Sequence, residues 1–197
     1  MRKIFLILLG VLPAFNAMAE IKTYECGEHC TATLDTETGV MRISGTGEMT
    51  GYDRETRFHT PWREDRARIT SVIVEDGITN VGYNAFFECF KIQSIELAKT
   101  VKTVGGFAFD EVSVVSSVTM YDSTVWADQE NFNGYSRAPN NIKINCYGDL
   151  DKCKTNFLNT PKMKSAANFN YKGKKIYTID EANKVAGDKN KVSIRYR

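Results

Sequence analysis

The chain has 197 residues, with 42% hydrophobic, 25% charged and 11% aromatic content and a formal net charge of +2. That is the composition of an ordinary globular protein of one or two small domains, and it excludes a disordered chain, a collagen-like repeat and a multi-span membrane protein. Two histidines leave little material for a His-rich metal site, and five cysteines are too few for a disulfide-dense miniprotein.

The chain opens with Arg2 and Lys3, then an apolar run, Ile4–Val11. Ala17-Met18-Ala19 supplies the small residues that a signal peptidase reads. Residues 1–19 are therefore expected to be a secretory signal peptide, cleaved after Ala19. No later stretch approaches about 18 consecutive apolar residues, so no transmembrane segment is expected after cleavage. Export places the cysteines in an oxidising compartment. The close pairs are then expected to form local disulfides, Cys26–Cys30 and Cys146–Cys153, which leaves Cys89 over. A metal reading of Cys26-Gly27-Glu28-His29-Cys30 needs two more ligands, and none lies at zinc-site spacing.

Residues 20–68 read as an N-terminal cap. Thr31–Asp35 and Val40–Ser44 alternate in polarity around the turn Glu37-Thr38-Gly39, which predicts a β-hairpin. Trp62, after Pro61, is expected to pack over that end as a capping aromatic.

Residues 69–140 repeat with a period of 23. Ile69, Ile92 and Val115 coincide; so do Ser71, Ser94 and Ser117, then Val72, Ile95 and Val118, then Val74, Leu97 and Met120. Val81 matches Val104, Gly82 matches Gly105, Ala85 matches Ala108, and Phe86, Phe109 and Phe132 close the pattern. The third copy is degraded, with Ala127 and Asn131 where the others carry Val and Ala. The spacing predicts a short strand, a turn at Asp76-Gly77, and a tight helical turn through Val81–Phe86. One coil cannot bury its own Phe and Ile side chains, so neighbouring coils must stack into a short solenoid with capped ends.

The copies ITSVIVEDGITNVGYNAFFECF and IQSIELAKTVKTVGGFAFDEV resemble the BspA-like leucine-rich repeats of bacterial surface and secreted proteins. The upstream stretches CGEHCTATLD, TGVMRISGTGEM and TPWRED resemble the lead-in often found before such repeats. The resemblance covers about Tyr24 to Met120. It implies a β-rich leucine-rich-repeat solenoid with short helical turns, used for adhesion or host-protein binding and not for catalysis.

Residues 141–197 form a basic C-terminal α+β segment. Lys174–Thr178 reads as a strand, Thr178-Ile179-Asp180-Glu181 as a capping box opening a helix that Gly187 ends, and Val192–Tyr196 as a last strand. Asn141–Arg197 holds 13 Lys+Arg against 5 Asp+Glu, a balance of +8, whereas Glu20–Asn140 holds 11 against 19, a balance of −8. The tail therefore either offers a basic surface to an anionic ligand or docks on the acidic remainder.

Signals of chemistry are few. There is no Gly-x-Ser-x-Gly elbow, and Val104-Gly105-Gly106-Phe107 is a repeat turn, not a phosphate loop. No nucleophile is placed with His29 or His59 by any motif, Asp53, Glu64 and Asp65 show no paired-acid pattern, and Cys89 aligns with Val112 as a small buried hydrophobe. No catalytic residue, metal or cofactor is expected. The candidate binding residues are Ser71, Ile73, Glu75, Ser94, Glu96, Ser117 and Thr119, which alternate with core positions on the exposed strand face. The expected partner is a protein or glycan at the cell envelope or a host surface, with no role for nucleic acid. The expected location is secreted, periplasmic or cell-surface. The alternatives are a structural envelope protein, or an accessory to an enzyme whose activity lies around Tyr171–Tyr196.

Overall fold

Strict alternation of apolar and polar side chains builds the first layer. The structure, a computed structural model, describes residues 20–127, 131–132, 142–158 and 167–171. Three antiparallel strands open it: β1 (Ile21–Gly27), β2 (Cys30–Asp35) and β3 (Val40–Gly45). Ala32, Leu34, Met41 and Ile43 are fully buried, while their neighbours along the strands are turned outward. From β3 onward the pairing becomes parallel. β5 (Ser71–Val74), β7 (Ser94–Leu97), β9 (Ser117–Tyr121), β11 (Ile142–Tyr147) and β12 (Ala167–Tyr171) extend one eight-stranded sheet in the order β1-β2-β3-β5-β7-β9-β11-β12.

The intervening short strands β4 (Gly47–Glu48), β6 (Ile78–Val81), β8 (Thr103–Val104) and β10 (Val125–Trp126) form a second, four-stranded parallel sheet. A single 3-10 turn, Arg63–Asp65, and one helix, α1 (Leu150–Leu158), complete the described elements. Ser71 pairs with Ser94 and Ser94 with Ser117, as do Val72, Ile95 and Val118. The ladder register is thus the 23-residue period of the sequence, and each coil advances by about 4.8 Å, the strand spacing.

Between the sheets runs a column of rings. Trp62 stacks on Phe86 at 5.2 Å, Phe86 on Phe109 at 5.1 Å, and Phe109 on Phe132 at 5.8 Å. Trp126 joins at 5.9 Å from Phe109 and meets Phe157 of α1 edge to face at 5.0 Å. Coils approach closely at the matched glycines. A Cβ on Gly82 would collide with the Thr50 carbonyl oxygen, and one on Gly105 would lie 2.8 Å from the Tyr83 amide nitrogen.

Three expectations need correction. The return segment after β6 is not helical. Asn84, Phe86 and Glu88 donate their amides to the carbonyls of Gly106, Ala108 and Asp110 in the next coil, at 3.2, 2.7 and 3.1 Å. Alternate amides therefore point along the stack, and Asn84 and Glu88 take positive φ (54° and 60°), repeated at Phe107 and Glu111. Second, Cys146–Cys153 is bridged, but Cys26 and Cys30 are buried free thiols. Cys30 is held by the β1–β2 turn against the carbonyls of Thr46 and Glu48, at 3.4 and 3.3 Å. Burial raises both thiols, that of Cys26 to about 12 with help from Cys30. Third, Trp126, not Ala127, pairs with Val104, so the third coil is one residue short at that point. The signal segment, the strands expected at Lys174–Thr178 and Val192–Tyr196, and the helix between them lie outside the described residues.

The N-terminal strands are tied to residues 62–68 by a partly buried ionic cluster. Asp65 accepts from Lys22 Nζ at 2.9 Å and from the Tyr24 hydroxyl at 2.8 Å, and Arg68 lies 3.4 Å away. Burial alone would raise Asp65, but the bonds from Lys22 and Tyr24 and the charges of Lys22 and Arg68 outweigh it and hold the carboxyl below its ordinary value. Burial and the same contact raise Tyr24 and keep it a neutral donor. Because the folded pKa of Asp65 is depressed, its stabilisation is complete above the unfolded value of about 4 and is lost as pH falls through it toward the folded value. Asp65→Asn is expected to cost about 2–3 kcal/mol at neutral pH and to flatten the dependence of the urea midpoint on pH below about 4. A variant as acid-sensitive as the parent would exclude this role.

Candidate functional site

Alternation along the parallel strands sorts each into two sets. Val72, Val74, Ile95, Leu97, Val118 and Met120 face the core, so Ser71, Ile73, Ser94, Glu96, Ser117 and Thr119 share the opposite face, with Glu75 just beyond β5. Register then arranges them in rows. Ser71, Ser94 and Ser117 form one, and Ile73, Glu96 and Thr119 the next. The structure thus brings all seven predicted residues together on a single face. Glu96 is the exposed one among the six strand residues; the others are half-buried by their neighbours.

Hydrogen bonds within the rows hold the polar groups in place. Ser94 Oγ donates to Ser71 Oγ at 2.8 Å. Asn145 of β11 donates through Nδ2 to Ser117 Oγ and to Thr119 Oγ1, both at 3.2 Å. Arg42 of β3 pairs with Glu75 at 3.3 Å, an exposed pair worth about 0–1 kcal/mol that orients both charges more than it stabilises them. Tyr121 stacks on Tyr147 at 5.0 Å and ends the face with a pair of rings.

Arg42, Tyr121, Asn145 and Tyr147 are members of this face that the repeat alignment missed. A signal was available: in Ile142–Tyr147 the residues Ile144 and Cys146 alternate with Lys143, Asn145 and Tyr147. The offset from β9 to β11 is longer than the repeat, Lys143 pairing with Ser117, and this hides the match. Among the described residues, no group of three or more His, Cys, Asp or Glu could hold a metal ion. His29 and His59 are both exposed, and Cys89 is a buried free thiol, as its alignment with buried Val112 implies. No described helix is long and apolar enough to cross a membrane.

Comparison with known proteins supplies the family. A model described as "BspA type Leucine rich repeat region (6 copies)" matches residues 64–181. The chain belongs to the BspA-type leucine-rich repeat family. The match runs past the three copies that the 23-residue spacing distinguishes, and past β11 and α1. Membership in this repeat family suggests a protein-interaction type of function; its members are typically non-enzymatic and often associated with bacterial surfaces. Among solved structures, the chain is similar to a leucine-rich repeat protein from Eubacterium ventriosum, with 22% identity and a TM-score of 0.48. The alignment covers 77% of this chain and 44% of that one, so the chain spans less than half the length of that protein. No curated protein matches the chain.

Proposed function

We propose that the chain is a short leucine-rich-repeat solenoid, exported from a bacterium, which binds a protein or glycan at the cell envelope or a host surface through the outer face of its eight-stranded sheet. The observation that carries this reading is the pair of rows Ser71/Ser94/Ser117 and Ile73/Glu96/Thr119. Five of the six are polar, with Ile73 apolar; the rows are set by register and braced by Asn145 and by the Arg42–Glu75 pair. Two parallel ladders advancing by the same repeat support the solenoid. Preorganised side chains lower the ordering cost of binding, and mixed polarity suits a specific, wet contact better than a greasy one.

Envelope or host-surface material captured on the immobilised protein tests the reading. The double variant Glu96→Arg/Thr119→Arg is expected to lose at least ten-fold in affinity with an unchanged melting temperature, while Thr103→Arg on the four-stranded sheet leaves binding intact. Failure of the parent to bind, or equal binding by the double variant, sinks it. Export is read separately, as a secreted product beginning at Glu20.

A further inference from the structure

A third row on the strand face is broken by one small residue. Glu75, Ala98 and Tyr121 stand one 23-residue step apart. Each follows a buried residue, Val74, Leu97 or Met120, so all three project outward. Tyr121 stacks on Tyr147 of β11 at 5.0 Å, with 23° between the ring planes. The stack runs along the row, so the second face of Tyr121 is turned back over Ala98, which carries only a methyl group where a ring would continue it. Glu75 and Tyr121 are two strand spacings apart, about 9.6 Å, and they bound a notch one side chain wide.

The charges beside this notch do not balance. Glu75 pairs with Arg42 through Oε1 at 3.3 Å. Glu96 stands two residues before Ala98, about 6.6 Å along the strand and within the reach of its own side chain. It is exposed and makes no hydrogen bond or ion pair among the described residues. Lys99 lies in the turn beyond Ala98 and Lys143 in the row of Ser117, and neither pairs with Glu96. The balance of −8 over residues 20–140 adds to the local excess of negative charge.

A ring face, an unanswered carboxylate and a narrow slot choose among ligands. An anion meets Glu75 and Glu96 as like charges. A neutral sugar gains the ring but leaves the charge of Glu96 unmatched. An ammonium matches the charge as a compact point, without the flat surface that the slot admits. A guanidinium does both, because it is planar, stacks on aromatic faces and presents a fork of donors to a carboxylate. We propose that the notch over Ala98 receives an arginine side chain of a protein partner. Its guanidinium stacks on Tyr121 and donates to Glu96 and to the part of the Glu75 carboxylate that Arg42 leaves open. This inference rests on the strand face being a binding surface, and it names what that surface recognises.

The test is an amide chemical-shift titration of the full chain with the peptide acetyl-Gly-Arg-Gly-amide, run beside its lysine and citrulline counterparts and D-glucose. Citrulline keeps the flat shape of arginine without its charge. Saturable shifts at residues 75, 96–98 and 119–121 are expected, with the arginine peptide binding about five-fold tighter or more than the other three. Glu96→Gln, at an exposed side chain, should weaken it about ten-fold, the loss of one charge-assisted contact. Ala98→Tyr continues the stack and fills the notch, so it should abolish binding without lowering the melting temperature. Equal binding of the lysine peptide, the citrulline peptide or glucose, shifts elsewhere, or full binding by Ala98→Tyr would overturn the assignment. So would no saturation with the arginine peptide, and where Glu96→Arg/Thr119→Arg still loses capture, that result removes the arginine and keeps the face.

Discussion

Phe109→Ala is expected to lower stability by about 3–5 kcal/mol, read as a fall in the urea midpoint. The magnitude follows from position. Phe109 is fully buried in the middle of the ring column, with Phe86, Trp126 and Phe132 all within 6 Å of its centroid. Truncation removes three ring contacts, each worth about 0.5–1.5 kcal/mol beyond area burial, and leaves a cavity that backbone ladders on both sides prevent from closing. A domain holds only about 5–15 kcal/mol in total, so the variant sits near the edge of folding at ordinary temperature. Repeat coils couple only to their neighbours, and a break in the middle should also cost cooperativity. The m-value is then expected to fall as well. A loss below about 1 kcal/mol would show that the rings are not the spine of the stack.

Trp62→Ala is expected to cost a comparable 3–5 kcal/mol, by a different route. Trp62 is fully buried at the end of the column, stacked on Phe86 and edge to face with Tyr24 at 6.2 Å. Its Nε1–H donates to the Ala85 carbonyl at 3.0 Å in a buried setting. From segment 60–68 it joins the N-terminal strands, through Tyr24, to the first coil, through Phe86. Trp62→Phe separates the contributions. The ring stack survives while the Ala85 carbonyl loses its donor, so a smaller loss of about 1–3 kcal/mol is expected in the same denaturation. Equal costs for the two variants would place the whole effect on the hydrogen bond.

The strand face and the column were the legible parts of this protein, because both obey the repeat. Ser71, Ser94 and Ser117 recur at one spacing, as do Phe86, Phe109 and Phe132, and the ladder has no freedom to place them elsewhere once Val72, Ile95 and Val118 are buried. What was hidden follows from local exceptions. The shortened third coil moves Trp126 into the place expected for Ala127, and the longer step to β11 conceals Asn145 and Tyr147. Apolar spacing through Val81–Phe86 reads as a helix because both arrangements bury Val81, Ala85 and Phe86. Positive φ at Asn84 and Glu88 decides against it; Asn is enriched in that conformation, but Glu88 does not announce it, and neither do Phe107 and Glu111 at the matching places. The thiols of Cys26 and Cys30 show a related limit: spacing tells which cysteines are neighbours, but not that Cys30 will point at two carbonyls.

The slip at Trp126 divides the coils into two kinds. Those carrying Gly82 and Gly105 present matching upper and lower surfaces, with the same register, the same close approach and the same left-handed residues. They are interchangeable units, and a copy of Ile92–Val114 inserted in tandem meets on each side the surface it already meets. The coil carrying Trp126 and Phe132 has no such freedom. It meets a regular unit on one side and the helix on the other, so it serves as an adapter between the regular coils and the segment that carries the sheet on through β11 and β12. Insertion or removal of whole regular repeats is therefore expected to be tolerated between Ile69 and Val114, where the coils match.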